Sequence, residues 1–98
     1  MGNRRSVAVI VPAYNAQATI GPCLEAIRAA LRPGDELIVY DDGATDNTNA
    51  MAKAAGARIL RNEGSPKGPG FGRNAAANVA TADLLLFVDA DVVIAPDV

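Results

Sequence analysis

Four short runs dominated by aliphatic residues punctuate the chain: Val7 to Val11, Glu36 to Tyr40, Ala57 to Leu60 and Leu84 to Val88. Each is too short for a helix and is bounded by proline, glycine, asparagine or aspartate nearby, so each predicts a strand. Pro12 is expected to end the first strand. Between the first two runs the pattern changes period: Ile20, Leu24, Ile27 and Leu31 recur at helical spacing. A helix over 19–31 follows, with Thr19 as cap, Pro22 tolerated in the first turn and Pro33-Gly34 as the stop. A second helix is expected from Thr45 to Ala55, with Asp46 in its first turn and Gly56 ending it. Asn62 to Gly72 reads as a glycine- and proline-rich loop. Phe71 to Ala80 reads as a third, alanine-rich helix, and residues 92–98 open a further element.

The resulting order, β-α-β-α-β-α-β with strands apolar throughout, predicts the α/β class: a Rossmann-like three-layer αβα fold with a mainly parallel sheet. Strands that are apolar along their whole length, Leu84 to Val88 included, are expected to be buried on both faces. No linker or repeat divides residues 1–98. In such sheets ligands bind beyond the carboxyl ends of the strands, where strand order reverses. The residues just after each strand are therefore the ones to inspect for chemistry.

Composition narrows that chemistry. Half of the 98 residues are hydrophobic, and the formal charge is −2, which leaves no electrostatic footprint for a nucleic acid polymer. There is no histidine, so acid–base and metal work fall to carboxylates. Cys23 stands alone, excludes an internal disulfide and reads as a small core residue. Arg4, Arg5 and the following apolar run make a poor signal peptide, and Met1-Gly2 with Ser6 matches the myristoylation pattern only formally. The expected location is cytoplasmic, with any membrane association carried by parts of a parent protein outside these residues.

The strand exits carry the unusual residues: "PAYN" (Pro12 to Asn15), "DDGATD" (Asp41 to Asp46) and "DADVV" (Asp89 to Val93). If the last segment is extended, Asp89 and Asp91 point to one side and can converge on a hard cation such as Mg²⁺ or Mn²⁺. The plain alternative is a polar turn whose aspartates bond their own backbone. Of the adjacent Asp41 and Asp42, one can accept hydrogen bonds from a base or ribose while the other braces the Gly43 turn. Tyr14 offers a flat face for stacking. In "GSPKGPGFGRN", Arg73 and, after it, Asn74 sit at the start of a helix, where anions are favoured. The segment is neither a P-loop nor a dinucleotide fingerprint.

Taken together, "VIVPAYN" (Val9 to Asn15), "VYDDGATDNT" (Val39 to Thr48), "GFGRNAA" (Gly70 to Ala76) and "LLLFVDADV" (Leu84 to Val92) resemble the N-terminal half of the family 2 glycosyltransferases of GT-A fold. The resemblance implies a site for a nucleotide-diphosphate sugar. Pro12, Ala13 and Tyr14 would line the base pocket, Asp41 would bond the base, and Arg73 would contact the nucleotide. Asp89 would touch the ribose or the metal, and Asp91 would be the direct metal ligand, for Mn²⁺ or Mg²⁺. The implied reaction is inverting transfer to an acceptor hydroxyl of a saccharide, lipid-linked or protein substrate.

Ala44 stands where the family usually has Ser or Thr, and Ala16 where an acid is frequent. The catalytic base is unknown and is expected beyond Val98, so these 98 residues are expected to bind donor without turnover and to self-associate through an unprotected strand edge. Two other readings compete. "LLLFVDADVV" also fits the first motif of haloacid-dehalogenase-like phosphatases, although that motif normally follows the first strand. A non-catalytic nucleotide-binding or assembly module is the other.

Overall fold

In the computed structural model, which describes residues 5–94, the seven expected elements appear in the expected order. The Met1-Gly2 pattern and the end of the 92–98 segment lie outside those residues. The strands are β1 (Val7–Ala13), β2 (Glu36–Asp41), β3 (Arg58–Arg61) and β4 (Leu84–Phe87). The helices are α1 (Ile20–Ala30), α2 (Thr48–Ala54) and α3 (Pro69–Val79). All strand pairs are parallel, in the order β3-β2-β1-β4. The chain thus builds outward from β1 to β3, then returns to the other side of β1. The switch point lies between β1 and β4.

Side-chain alternation along β1 divides the core into two layers. Val9, Val11 and Ala13 face α1 and α2, packing with Leu37, Val39, Ile20, Cys23, Leu24, Ile27 and Ala52. Ile10 and Ile38 face the other way, against Ala76 of α3. The small side chain at Ala76 lets α3 lie close to the sheet. A closer approach still occurs at Gly72, where an added Cβ would stand 2.6 Å from Cδ1 of the Tyr40 ring.

Several boundaries differ from expectation for local reasons. Pro12 does not end β1. Its register partner is Tyr40, and its missing N–H faces the β4 side, where pairing stops at Ile10–Phe87. Thr19 occupies the cap position of α1, but its hydroxyl donates to the Ala16 carbonyl instead of capping. The second helix starts three residues late, at Thr48, so Asp46 precedes it. Its Oδ1 accepts from the Thr48 N–H at 2.9 Å, which satisfies one of the helix's free donors from outside the helix. The third helix begins at Pro69 and takes in part of the expected loop.

The largest departure is β4. Among the described residues β4 stands last in the sheet order, and Leu84, Leu85, Leu86 and Phe87 are each 42–48% exposed. Val88 alone is buried; its N–H donates to the Ile10 carbonyl and its side chain joins the α1 layer. No helix among the described residues is long and apolar enough to cross a membrane.

Candidate functional site

At the carboxyl edge of the sheet, the exits of β1 and β2 form an open cleft lined by Pro12, Ala13, Tyr14, Tyr40, Asp42 and Gly68. Its volume, about 200 Å³, suits a heterocyclic base but falls below the roughly 300–1,000 Å³ of a complete small-molecule pocket. Tyr14 is half exposed at the rim, whereas Tyr40 is buried. Burial, with the Asp42 charge behind it, pushes the Tyr40 phenol above its ordinary pKa. A backbone bond from the Asp42 N–H to the Ala13 carbonyl, 2.9 Å long, joins the two exits.

The paired aspartates divide their work in the opposite sense to that expected. Asp41 is fully enclosed. Its Oδ1 accepts from the N–H groups of Gly43 (3.1 Å) and Ala44 (2.7 Å), and its Oδ2 from Asn49 Nδ2 (3.0 Å) and from Arg61 Nη1. Donors from the turn, α2 and β3 enclose it, and it does not line the cleft. Gly43 makes that turn possible, with φ of +93°. The acid that lines the cleft is Asp42.

Asp42 also organises the loop after β3. Its carboxylate accepts from Asn62 Nδ2 (3.0 Å), the Lys67 N–H (3.0 Å) and the Gly68 N–H (2.8 Å). Burial alone would raise its pKa. The hydrogen bonds from Lys67, Asn62 and Gly68, with the Lys67 charge, outweigh burial and hold it below the usual carboxylate range. Lys67 stretches its ammonium over the Phe71 ring, which meets Tyr40 edge-on at 6.1 Å between centroids.

Arg61 and Asn62 were missing from the expected site. Arg61 ends β3 and bonds both Asp41 and, through Nη2, the Ala44 carbonyl at 3.0 Å. The signal was available, since the carboxyl ends of the strands are where function concentrates. The expected third strand stops at Leu60 and the expected loop starts at Asn62, so Arg61 falls in neither, whereas β3 runs to Arg61.

Across the switch point, Asp89 and Asp91 follow β4. They do not lie in an extended segment: the Val92 N–H donates to the Asp89 carbonyl at 3.0 Å, closing a turn. Strand alternation therefore does not set the directions of their side chains. The turn rests on α1, where the buried Cys23 thiol donates to the same Asp89 carbonyl at 3.6 Å. Burial raises the thiol pKa, and the charges of Asp91 and Asp89 add to it against the lowering contact with the Val92 backbone. Arg73, near the start of α3, places Nη2 3.7 Å from Asp89 Oδ1, so these two expected residues do meet. Asn74, its neighbour, also lies on α3.

No group of three or more carboxylate or thiol ligands gathers among the described residues. Two exposed carboxylates at a turn nonetheless fit a hard divalent ion whose remaining positions are filled by ligand oxygens and water. Asp89 and Asp91 supply only oxygen donors, and the Asp91 carboxylate makes no hydrogen bond or ion pair among the described residues.

Known proteins resemble this chain over most of its length. The glucosyl-3-phosphoglycerate synthase of Mycolicibacterium smegmatis is 41% identical over 91% of this chain and 32% of its own. The crystal structure of S. aureus TarS 1–349 superposes with a TM-score of 0.87 at 31% identity, covering 94% of this chain and 29% of that one. Glucosyl-3-phosphoglycerate synthase from Mycobacterium tuberculosis, in complex with Mn²⁺, UDP and glucosyl-3-phosphoglycerate, superposes at 0.78 with 32% identity, over 88% and 33%. The chain thus spans about a third of the length of the relatives it matches. These neighbours share the GT-A fold, and the phosphatase reading of the Asp89–Asp91 motif falls away. A family model described as glycosyl transferase family 2 matches residues 8–98, and the chain belongs to that family.

Proposed function

We propose that residues 1–98 form the donor-binding part of a glycosyltransferase that takes a nucleotide-diphosphate sugar. The observation that carries this reading is the cleft itself. A stacking tyrosine and an acid line it at the carboxyl edge, beside the β1/β4 switch point. A base entering the cleft meets the Tyr14 ring and the Asp42 carboxylate. Asp42, rather than Asp41, is the acid able to reach it.

Arg73 and Asp89 lie on the side where a diphosphate would extend. Arg73 would orient phosphate oxygens there, and Asp89 with Asp91 would hold a divalent ion, Mn²⁺ or Mg²⁺. When bound, such an ion supplies Lewis-acid neutralisation of the diphosphate leaving group. The Mn²⁺ and UDP of the M. tuberculosis synthase complex support this choice of ligand chemistry. The reaction proposed for the whole protein is inverting transfer to an acceptor hydroxyl.

None of the described residues is assigned as the base, and donor binding is the role proposed for this chain. It self-associates through the open β4 edge. Calorimetric titration of UDP and GDP, each with and without Mn²⁺, tests the reading. Binding of at least one nucleotide, strengthened by the metal, is expected; no binding of either would contradict it.

A further inference from the structure

The loops leaving β1 and β2 are stitched together by side chains of each on the backbone of the other. The Thr45 N–H donates to Asn15 Oδ1 at 2.8 Å, and the Thr45 hydroxyl reaches the same oxygen at 3.4 Å. The Ala16 N–H donates to Thr48 Oγ1 at 2.8 Å and the Gln17 N–H to Asp46 Oδ2 at 3.1 Å. The Asn47 N–H returns a bond to Gln17 Oε1 at 3.0 Å. Asp46 is held below its ordinary pKa, chiefly by the Thr48 hydroxyl, so it stays an acceptor in this network.

Asn15 differs from the other members in its backbone. With φ of +46° it is the one non-glycine residue in the left-handed region among the described residues. Asparagine tolerates that conformation better than most side chains. Its left-handed turn directs the chain away immediately after Tyr14. Tyr14 is thus fixed on both sides: Ala13 accepts the Asp42 N–H, and Asn15 accepts Thr45.

From this arrangement we infer that Asn15 is a positioning residue: its backbone turn and its bond to Thr45 hold the Tyr14 ring at the mouth of the cleft. Its consequence for ligand affinity rests on the reading that this cleft takes a nucleotide. Asn15 and Thr45 are themselves exposed, so their bond contributes little to the core.

The chain has two tyrosines, and the buried Tyr40 serves as an internal reference. In ligand-free protein with labelled tyrosine, Asn15→Gly keeps the left-handed backbone accessible and removes the acceptor. Tyr14 ring signals should then move toward free-tyrosine values, Thr45 amide exchange should speed up about tenfold, as for one lost hydrogen bond, and Tyr40 should stay still. Asn15→Asp restores an acceptor and should return both signals. UDP affinity of Asn15→Gly should fall by about tenfold on the same reasoning. Unchanged Tyr14 and Thr45 signals, or equal movement of Tyr40, would overturn the positioning role. If Tyr14 responds as stated but the unmodified chain binds no UDP, the clamp stands and the nucleotide reading is what fails.

Discussion

Arg61 grips Asp41 from the neighbouring strand. Its Nη1 bonds Asp41 Oδ2 and its Nη2 bonds the Ala44 carbonyl, so the end of β3 closes over the turn that follows β2. Asp41 keeps three other donors if the arginine is removed, and the Arg61 side chain is 34% exposed. The lost pair is therefore discounted for solvent screening, and Arg61→Met should cost about 2 kcal/mol. Urea denaturation checks the value. A loss within error of zero would show that the Asp41 turn holds without its cation.

Gly72 makes the tightest test of the α3 interface. An added Cβ would meet three Tyr40 ring atoms between 2.6 and 3.2 Å away, and the buried ring could yield only by shifting into the cleft it lines. Gly72→Ala would ordinarily favour a helix. Here overpacking should prevail and destabilise the protein by about 1–3 kcal/mol. A stabilised variant in thermal melts would mean that α3 sits further from the sheet.

The pH dependence has a definite sign. Asp42 is depressed in the folded protein by the loop's N–H groups, so it contributes stability above the ordinary carboxylate pKa, about 3.9, and loses it as pH falls through the lower folded value. Hydrogen exchange at the Lys67 and Gly68 amides should accelerate through that acid window more than denaturation of the core requires. In Asp42→Asn those amides should be fast already at neutral pH, with the acid step gone.

The four exposed residues of β4 should make association visible. Light scattering across a wide concentration range should report species larger than the monomer, and Leu85→Lys should shift them toward monomer by charging the edge. A monodisperse monomer at every concentration would contradict association through β4.

Most of the architecture was legible because aliphatic runs and helical spacing are local signals. The order of elements, the parallel sheet and the division of helices between its faces follow from them. What escaped depends on tertiary partners. Whether Asp41 or Asp42 faces the cleft turns on Arg61 and Asn49, which are distant in sequence. The Asp89–Asp91 pair looked like a strand end because the Val92-to-Asp89 bond that makes it a turn leaves no mark in the spacing. The exposure of Leu84 to Phe87 among the described residues has no counterpart in the spacing, since an apolar run does not say which residues cover it. Pro12, Ala13 and Tyr14, which the family resemblance implies for the base pocket, do line the cleft, because they sit at the exit of a parallel strand.

On the proposed function, the Asp89–Asp91 turn holds a divalent ion together with a nucleotide diphosphate in the adjoining cleft. Paramagnetic broadening by Mn²⁺ locates the ion directly. With UDP present, backbone signals of Asp89 to Val92 should broaden first, those at Tyr14 should shift with the nucleotide, and Asp91→Ala should abolish the broadening. Broadening centred elsewhere, or unchanged in Asp91→Ala, would contradict the account.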